Sequence, residues 1–234
     1  VSKIPIANIY HMLCYAWDVL PETTATDVTK LSAEKPADLI AKMLINGTHH
    51  LLRRGIDQGY IAVDEVTSSL KGRIDFSGSA RRMLLQQGKA RCEFDELSPN
   101  IPSNQILKAT LWRLSRTDEL DKSLKRGCAL LTKRLSAVDD VRLTRNSFAR
   151  IQLNGNNRYY RFLLHLCELV FDSSLVHERT GEYKFKDVLR DDKPMAALYE
   201  KFIFKFFERE QSVYRVTSDR IRWRATSEDE GAIA

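Results

Sequence analysis

The stretch Lys89-Ala90-Arg91-Cys92-Glu93-Phe94-Asp95-Glu96-Leu97 decides the fold class, because it interrupts a chain whose apolar residues otherwise follow a helical period. Ala90, Cys92 and Phe94 alternate with charged residues. A period of two places the apolar side chains on one face of an extended chain, so the stretch predicts a half-buried β-strand.

Two further strands are predicted just upstream, at Tyr60 to Val66 and at Gly72 to Phe76. Ser77 to Gln87 is predicted to form a short helix before the strand quoted above. Together these segments predict a small antiparallel sheet or partial barrel.

Amphipathic helices are predicted on both sides of this sheet, which makes the chain α+β. One covers residues 6–18, and a second begins at Pro36 in its first turn and ends at Arg53-Arg54-Gly55. Ser103 is the predicted N-cap of a third helix. Similar apolar stripes predict helices between Leu120 and Leu135 and between Tyr160 and Phe171.

A turn-rich run, Asn154-Gly155-Asn156-Asn157, is the predicted domain boundary. It separates an N-terminal domain, residues 1–157, from a C-terminal part, residues 158–234. In that C-terminal part, Glu182 to Val188 predicts a strand, Pro194 opens an apolar helix, and Ile221 to Ala225 predicts a half-buried strand.

The composition is that of a globular protein, with 234 residues, 43% of them hydrophobic and 29% charged. No apolar run approaches the roughly 18 residues of a membrane-spanning helix. No secretory leader is recognisable, so we expect a cytoplasmic protein without a membrane partner. The four cysteines are widely spaced among apolar residues and are expected to be reduced core residues.

The positive charge is concentrated in the middle of the chain. Residues 105–165 contain 13 Lys or Arg and five Asp or Glu, a net charge of +8 within a total of +6. Such a block indicates a polyanion or an acidic protein as partner, although a solvated helical surface is an equal alternative. The predicted DNA contacts are Lys122, Lys125, Arg126, Lys133 and Arg134, with Lys108, Arg113 and Arg116 as further basic positions.

Catalytic motifs are scarce. The chain has no P-loop pattern, so we expect it to bind no nucleotide by itself. Glu182 and Lys184 would share one face of a strand, as a metal-dependent nuclease requires, but no upstream aspartate stands at hairpin distance. Solvated surface is the favoured interpretation of this pair.

Lys71-Gly72-Arg73 predicts a compact basic tip that enters a strand. Gly72 would allow another backbone to approach closely. An ordinary hairpin end is the favoured alternative from the residues alone.

Five stretches taken together resemble one family. They begin with Ile-Pro-Ile-Ala-Asn-Ile-Tyr-His-Met-Leu-Cys-Tyr-Ala-Trp at residues 4–17 and are in order along the chain. They resemble the McrC family, whose members join the GTPase McrB in the 5-methylcytosine-specific restriction system McrBC. The other four stretches are Leu70–Phe76, Asn104–Leu111, Arg158–Phe162 and Met195–Phe202.

The resemblance implies two activities. The N-terminal part of such a protein docks in an AAA+ GTPase ring of McrB type and stimulates hydrolysis of GTP, which the ring binds. The C-terminal part is a PD-(D/E)xK-type, Mg²⁺-dependent endonuclease that cuts double-stranded methylated DNA. On this interpretation Lys71, Gly72 and Arg73 become ring contacts, with Arg53 and Arg54, or Arg81 and Arg82, as the next candidates.

The family's catalytic carboxylates and lysine are expected beyond Ala234, so we expect no catalytic or metal site within residues 1–234 and no cleavage by this chain alone. Glu200 is a weak candidate near the metal, since it precedes the expected nuclease sheet. Two alternatives remain open: a stand-alone basic nucleic-acid-binding protein, and an adaptor that lacks nuclease activity.

Overall fold

The computed structural model describes residues 6–17, 35–118, 120–149, 151, 158–176, 183–185 and 192–218. Within these residues the chain forms eight α-helices and five β-strands. The helices enclose one apolar core, and three of the strands form a small antiparallel sheet. The predicted α+β class is therefore confirmed.

Two helices come first, as predicted. Helix α1 spans Ile6–Ala16, and α2 spans Pro36–Arg54. Pro36 lies in the first turn of α2, where backbone N–H groups have no partner within the helix, so the missing N–H of proline costs no helical hydrogen bond. Gly55 ends α2 with a φ of 95°, a conformation that favours glycine.

The sheet contains β1 (Gly59–Thr67), β2 (Arg73–Asp75) and β3 (Ala90–Ser98). Strand β3 is central and antiparallel to both neighbours, in the order β1-β3-β2. Gly59 lies opposite Ser98, and Arg73 lies opposite Glu93. The predicted sheet is confirmed, and its central strand is the last of the three in the sequence.

The predicted helix over Ser77–Gln87 is two shorter pieces. Helix α3 spans Phe76–Arg81, and a single 3₁₀ turn spans Leu85–Gln87. Asp75 caps α3, because its carboxylate accepts a hydrogen bond from the Gly78 N–H at 2.8 Å.

Four helices follow the sheet and complete the core. They are α4 (Pro102–Ser115), α5 (Lys122–Arg134), α6 (Arg145–Ala149) and α7 (Arg158–Ser173). The predicted N-cap of α4 is wrong: Ile101 occupies that position in an extended conformation, Pro102 begins the helix, and Ser103 is buried inside it. Because proline favours the first helical position, the helix begins two residues earlier than predicted.

Helices α2, α4 and α7 pack closely at the centre of the molecule. Their fully buried side chains include Leu39, Leu44, Leu107, Leu111 and Leu163. At Gly47 the approach is so tight that a Cβ atom would lie 2.4 Å from Leu163 Cδ2. A glycine at this place therefore allows α2 and α7 to touch.

The C-terminal part of the described chain consists of a short hairpin and a long helix. Strands β4 (Ser174–Val176) and β5 (Tyr183–Phe185) pair antiparallel, which confirms residues 183–185 of the predicted strand at Glu182–Val188, the rest of which lies outside the described residues. Helix α8 spans Asp192–Glu210, so it begins two residues before Pro194. The predicted boundary at 154–157 and the predicted strand at Ile221–Ala225 lie outside the described residues.

Helix α8 packs against α1 through aromatic side chains. The ring centroid of Tyr15 lies 5.8 Å from that of Phe202 and 5.5 Å from that of Phe206. The Tyr15 hydroxyl also donates a hydrogen bond to Glu210 at 2.9 Å. The apolar stripe predicted for this helix therefore serves packing.

All four cysteines are buried and free, as predicted. Burial raises the pKa of Cys14 to about 11 and the pKa of Cys128 and Cys167 to about 12. These thiols stay protonated and unreactive at neutral pH. In the part of the chain that the structure describes, no helix has the length and apolar character needed to cross a membrane.

Candidate partner-docking surface

Residues 59–98 form a distinct substructure, which we call the β unit. Its strands pack mainly on one another and on α3. Seven of the thirteen large apolar side chains that are exposed in the described part of the chain lie in this unit. So many exposed apolar side chains within residues 59–98 make the unit a candidate protein-binding surface. They are Tyr60, Val66, Leu70, Phe76, Met83, Leu85 and Leu97, and each is between 43% and 76% exposed.

The two faces of the sheet differ in chemistry. Ile61, Val63 and Phe94 lie on one face and are half-buried. Asp64 and Glu93 lie directly opposite each other on the other face, and both are exposed. The alternation in β3 therefore produces a half-buried face and an exposed face. The exposed face, here called the charged face, carries Asp64, Arg91 and Glu93, and the exposed apolar side chains of Tyr60, Val66 and Leu97 lie on it as well.

Arg91 connects the three strands on the charged face. Its guanidinium donates two hydrogen bonds to the Asp64 carboxylate of β1, one from Nε to Oδ1 at 2.7 Å and one from Nη2 to Oδ2. The same guanidinium lies 3.6 Å from Asp75 Oδ2 at the end of β2. The hydrogen bond from Arg91 holds the pKa of Asp64 below its usual value, so the contact persists at mildly acidic pH.

Lys71-Gly72-Arg73 does not form the predicted hairpin tip. Because β3 lies between β1 and β2, residues 68–72 connect the two edge strands and return along the sheet to the level of Glu93. Gly72 has a φ of 57°, and a Cβ atom there would lie 2.4 Å from the Glu93 carbonyl oxygen and 2.6 Å from Phe94 Cβ. The close approach that Gly72 permits is therefore to the protein's own central strand.

The two basic side chains of this segment nevertheless face solvent. The Arg73 side chain is 86% exposed, and its nearest carboxylate oxygen, on Glu93, is 4.0 Å away. Lys71 is exposed, with Nζ 5.0 Å from the centroid of the Phe94 ring. The Arg73–Glu93 ion pair and the Lys71–Phe94 contact are both weak at such exposed positions, so both cations remain available to a partner.

The other basic candidates lie elsewhere on the surface. Arg53 and Arg54 end α2, five residues before β1 begins, and both are exposed. Arg81 and Arg82 are exposed at the end of α3. Helix α3 begins directly after Asp75, which pairs with Arg91 near the start of β3. Arg81 and Arg82 therefore follow the end of the sheet that is opposite to Ser98.

Helix α5 carries all five residues predicted to contact DNA. Lys125 is half-buried and lies 3.7 Å from Asp118. The other four, Lys122, Arg126, Lys133 and Arg134, are exposed. Lys133 and Arg134 also occupy the last turn, where positive charge stabilises a helix, so a purely structural role explains part of this basic surface.

Lys108 and Arg113, two of the further basic positions on α4, are not surface residues, because each is only 8% exposed. Lys108 Nζ lies 2.6 Å from the Val138 carbonyl oxygen and 2.9 Å from Asp140 Oδ1. The Arg113 guanidinium lies 5.2 Å from the centroid of the Phe171 ring. Both side chains point into the helical core because α4 is covered on several sides.

The weak catalytic candidates do not form a site in the described residues. Glu200 is exposed on α8, Lys184 lies in β5, and Glu182 falls outside the described residues. Within the described ranges, no group of three His, Cys, Asp or Glu side chains is placed to hold a metal ion. The Mg²⁺ that the family resemblance implies therefore has no fitting ligands in this part of the chain.

A buried amide that sequence reasoning did not single out connects the β unit to the helices. Asn104 is fully buried in the first turn of α4, and its Nδ2 donates to the carbonyl oxygens of Asp57, at 2.8 Å, and Pro99, at 2.6 Å. Its Oδ1 accepts a hydrogen bond from the Tyr160 hydroxyl of α7. The only signal in the sequence is a polar residue at a position where the helix should be apolar.

The comparisons with known proteins agree with one another. The family described as McrBC 5-methylcytosine restriction system component matches residues 6–230. The type IV methyl-directed restriction enzyme EcoKMcrBC of Escherichia coli (strain K12) is 31% identical over 224 residues, which is 96% of this chain. The chain spans 64% of the length of that curated relative.

Two solved structures share the fold. The first is the cryo-EM structure of the Thermococcus gammatolerans McrBC complex, with a TM-score of 0.63 at 19% identity over 90% of this chain and 60% of that chain. The second is a half-complex of a tetradecameric assembly of Thermococcus gammatolerans McrB AAA+ hexamers with bound McrC. Its TM-score is 0.63 at 18% identity over 88% of this chain and 46% of that chain.

Proposed function

The chain belongs to the family of McrBC 5-methylcytosine restriction system components, and on this premise we propose that it binds an AAA+ GTPase ring and stimulates GTP hydrolysis through the β unit. The observation that carries the proposal is the β unit itself, which presents seven exposed apolar side chains beside the exposed cations of Lys71 and Arg73. The solved structure of Thermococcus gammatolerans McrB AAA+ hexamers with bound McrC, one chain of which shares this fold, supports a ring as the partner.

The surface suits such a partner for two physical reasons. Burial of exposed apolar side chains stabilises a complex by about 25 cal/mol per Å² removed from water, before the entropic cost of association. An exposed guanidinium adds positive charge where a neighbouring active site needs it. GTP hydrolysis develops negative charge on the phosphate oxygens, and an arginine supplied by a partner accelerates it by about 10³–10⁵.

Arg73→Ala in the full chain tests this role. With the cognate ring at saturating concentration, the variant should give GTP turnover far below that given by the wild type. If Arg73 only rearranges the ring's own residues, the loss is smaller than the range expected of a direct contact. Stability should change little, because the Arg73 side chain is 86% exposed and its nearest carboxylate oxygen is 4.0 Å away.

The matched control is Arg142→Ala, which removes an exposed arginine from the helical body. It should stimulate turnover as well as the wild type does. Full stimulation by Arg73→Ala would show that this residue is not the activating element. The exposed Arg53, Arg54, Arg81 and Arg82 would then be substituted in turn.

We also propose that the protein contributes the endonuclease of a restriction complex that acts on methylated double-stranded DNA. Residues 1–157 would supply the ring-docking surface, and residues 158–234, whose first helix α7 packs into the same core as α2 and α4, would lead into the nuclease domain. Because the described residues offer no fitting Mg²⁺ ligands, no cleavage step is assigned to them.

A second candidate function, stand-alone binding of nucleic acid, is favoured by one observation. Lys122, Arg126, Lys133 and Arg134 are exposed on α5, within a segment whose net charge is +8. Co-purification of the tagged protein with a co-encoded GTPase supports the ring-binding function. Purification with nucleic acid but without the GTPase would favour the second candidate.

A further inference from the structure

Three separate segments of the chain meet at one buried side chain, that of Asn104. Asp57 stands two residues before β1, and Pro99 follows β3 directly, so their carbonyl oxygens mark the two points where the β unit joins the helical core. Both accept a hydrogen bond from Asn104 Nδ2. Both amide protons of this side chain therefore hold the base of the β unit to α4.

Tyr160 completes the junction from the third side. Its hydroxyl donates to Asn104 Oδ1, and this bond orients the amide so that Nδ2 faces the two carbonyl oxygens. Burial, and secondarily the charge of Asp57, raises the pKa of Tyr160, so the hydroxyl keeps its proton at any physiological pH. The side chain of Asn104 thus has both donors and its acceptor in use.

A second polar contact lies beside the junction but binds only one end of the β unit. Asn100 Nδ2 lies 2.5 Å from Asp139 Oδ2, and Asn100 Oδ1 accepts the Asp139 N–H at 2.9 Å. This pair holds the exit of β3 to the loop after α5. Asn104 alone binds the entry and the exit together, so within these contacts it has the larger influence on orientation.

We propose that Asn104, oriented by Tyr160, is a positioning residue that fixes the angle between the β unit and the helical core, and thereby sets the affinity of the β unit for its GTPase partner. The part concerning affinity rests on the function proposed above. A unit held at one angle presents its apolar and basic side chains in a single arrangement. A unit that samples several angles binds more weakly, because the apparent Kd rises by the inverse of the competent fraction.

The first experiment measures the angle without any partner. Spin labels at Gln86→Cys in the β unit and Ser136→Cys in the helical body report a distance distribution by pulsed electron paramagnetic resonance. Both positions are exposed, whereas the four native cysteines are buried, so only the introduced thiols react. The labelled protein should give one narrow distribution.

Two substitutions loosen the junction in this experiment. Tyr160→Phe removes only the hydroxyl, and Asn104→Asp replaces the donor amide with an oxygen that faces two carbonyl oxygens. Both should broaden the distance distribution. Thr110→Val is the matched control, because the Thr110 hydroxyl is also buried in α4 but bonds the Ile106 carbonyl oxygen of its own helix, at 2.8 Å, and the Cys167 thiol of α7, neither of which is a point where the β unit joins the core. It should leave the width unchanged.

The second experiment titrates the full chain without labels into the cognate ring and follows GTP turnover. Tyr160→Phe should raise the concentration that gives half-maximal stimulation by about five- to tenfold. Maximal stimulation should stay at the wild-type value, since every basic side chain of the β unit is still present. Thr110→Val should change neither quantity, even if it lowers thermal stability as much as Tyr160→Phe does.

Three results would overturn the inference. An unchanged width in both junction variants would show that Asn104 does not fix the angle. A broadened width with an unchanged half-maximal concentration would remove the connection to affinity. If the wild-type protein gave no stimulation at all, the proposed function and the affinity part would fail together, while the distance measurement would still decide the angle.

Discussion

Gly72 is the residue at which local conformation and long-range packing act together. Its φ of 57° is disfavoured for other residues, and the space for a side chain is occupied by the backbone of Glu93 and Phe94. A substitution here therefore disturbs the sheet before it disturbs any partner. A loss of GTPase stimulation in a Gly72 variant would therefore reflect a destabilised β unit and not a lost contact with the partner.

Gly72→Ala should destabilise the protein by more than about 1 kcal/mol, since strained backbone and a steric overlap add. The measurement is chemical unfolding, with amide exchange of β3 as a local reporter. Gly88→Ala is the control, because Gly88 has a similar φ of 65° but no atom within 4 Å of its Cβ position. If the two variants lost the same free energy of unfolding, the steric overlap with β3 at residue 72 would contribute nothing to the destabilisation.

Lys108 shows why part of the molecule could not be predicted residue by residue. Its neighbours in α4 are apolar, and a lysine in such a stripe is commonly assigned to the surface. It is buried because residues 138–140, some 30 positions away, bring a carbonyl oxygen and a carboxylate to it. The spacing of apolar residues in α4 cannot predict that residues 138–140 pack against this helix.

At the scale of elements, patterns with a short period predicted well. The alternation in β3 and the apolar stripes of α2, α5 and α7 all correspond to observed elements. The order of the strands was not predictable in the same way. The segment at residues 71–73 was expected at a hairpin tip because neighbouring strands usually pair, and here β3 lies between them.

Helix α5 is the element to test for DNA contact. Binding of double-stranded DNA to the full chain should be weak, independent of sequence, and steeply reduced as salt rises. Reversal of two exposed charges in Lys122→Glu with Arg126→Glu should weaken binding and reduce the slope of log K against log salt by about two. Fluorescence anisotropy at several salt concentrations measures both quantities.

Arg209→Glu, an exposed arginine on α8, is the control for this experiment and should leave the slope unchanged. An affinity that ignores salt would contradict the account. So would an affinity that survives reversal of both charges on α5, and the basic helix would then be a solvated surface stabilised by its own dipole.

At the scale of the whole molecule, the described residues form a helical core that carries the β unit. Residues 1–234 with Mg²⁺, GTP and the cognate ring should leave methylated DNA intact, because the described residues include no cluster of metal ligands. Gel electrophoresis of a methylated plasmid gives the result. Stimulated GTP turnover in the same reaction shows that the protein is folded and docked.

Double-strand cutting in that reaction would place a nuclease centre inside this chain. Glu182→Ala and Lys184→Ala would then be the first substitutions, followed by Glu200→Ala. Loss of cutting with unchanged GTP turnover would identify the residues involved.

The place of β3 in the sheet also determines when the β unit can form during synthesis. Strands β1 and β2 have no hydrogen bonds to each other, so neither has a partner until β3 has left the ribosome, and β1 needs that strand through Ser98 to pair fully. The helices α1 and α2 precede the sheet and are free to form first. For the time needed to add residues 68–98, a few seconds at about 5–20 residues per second, β1 is an unpaired strand beside a nascent helical core. A chaperone that binds extended apolar segments has its opportunity during that interval.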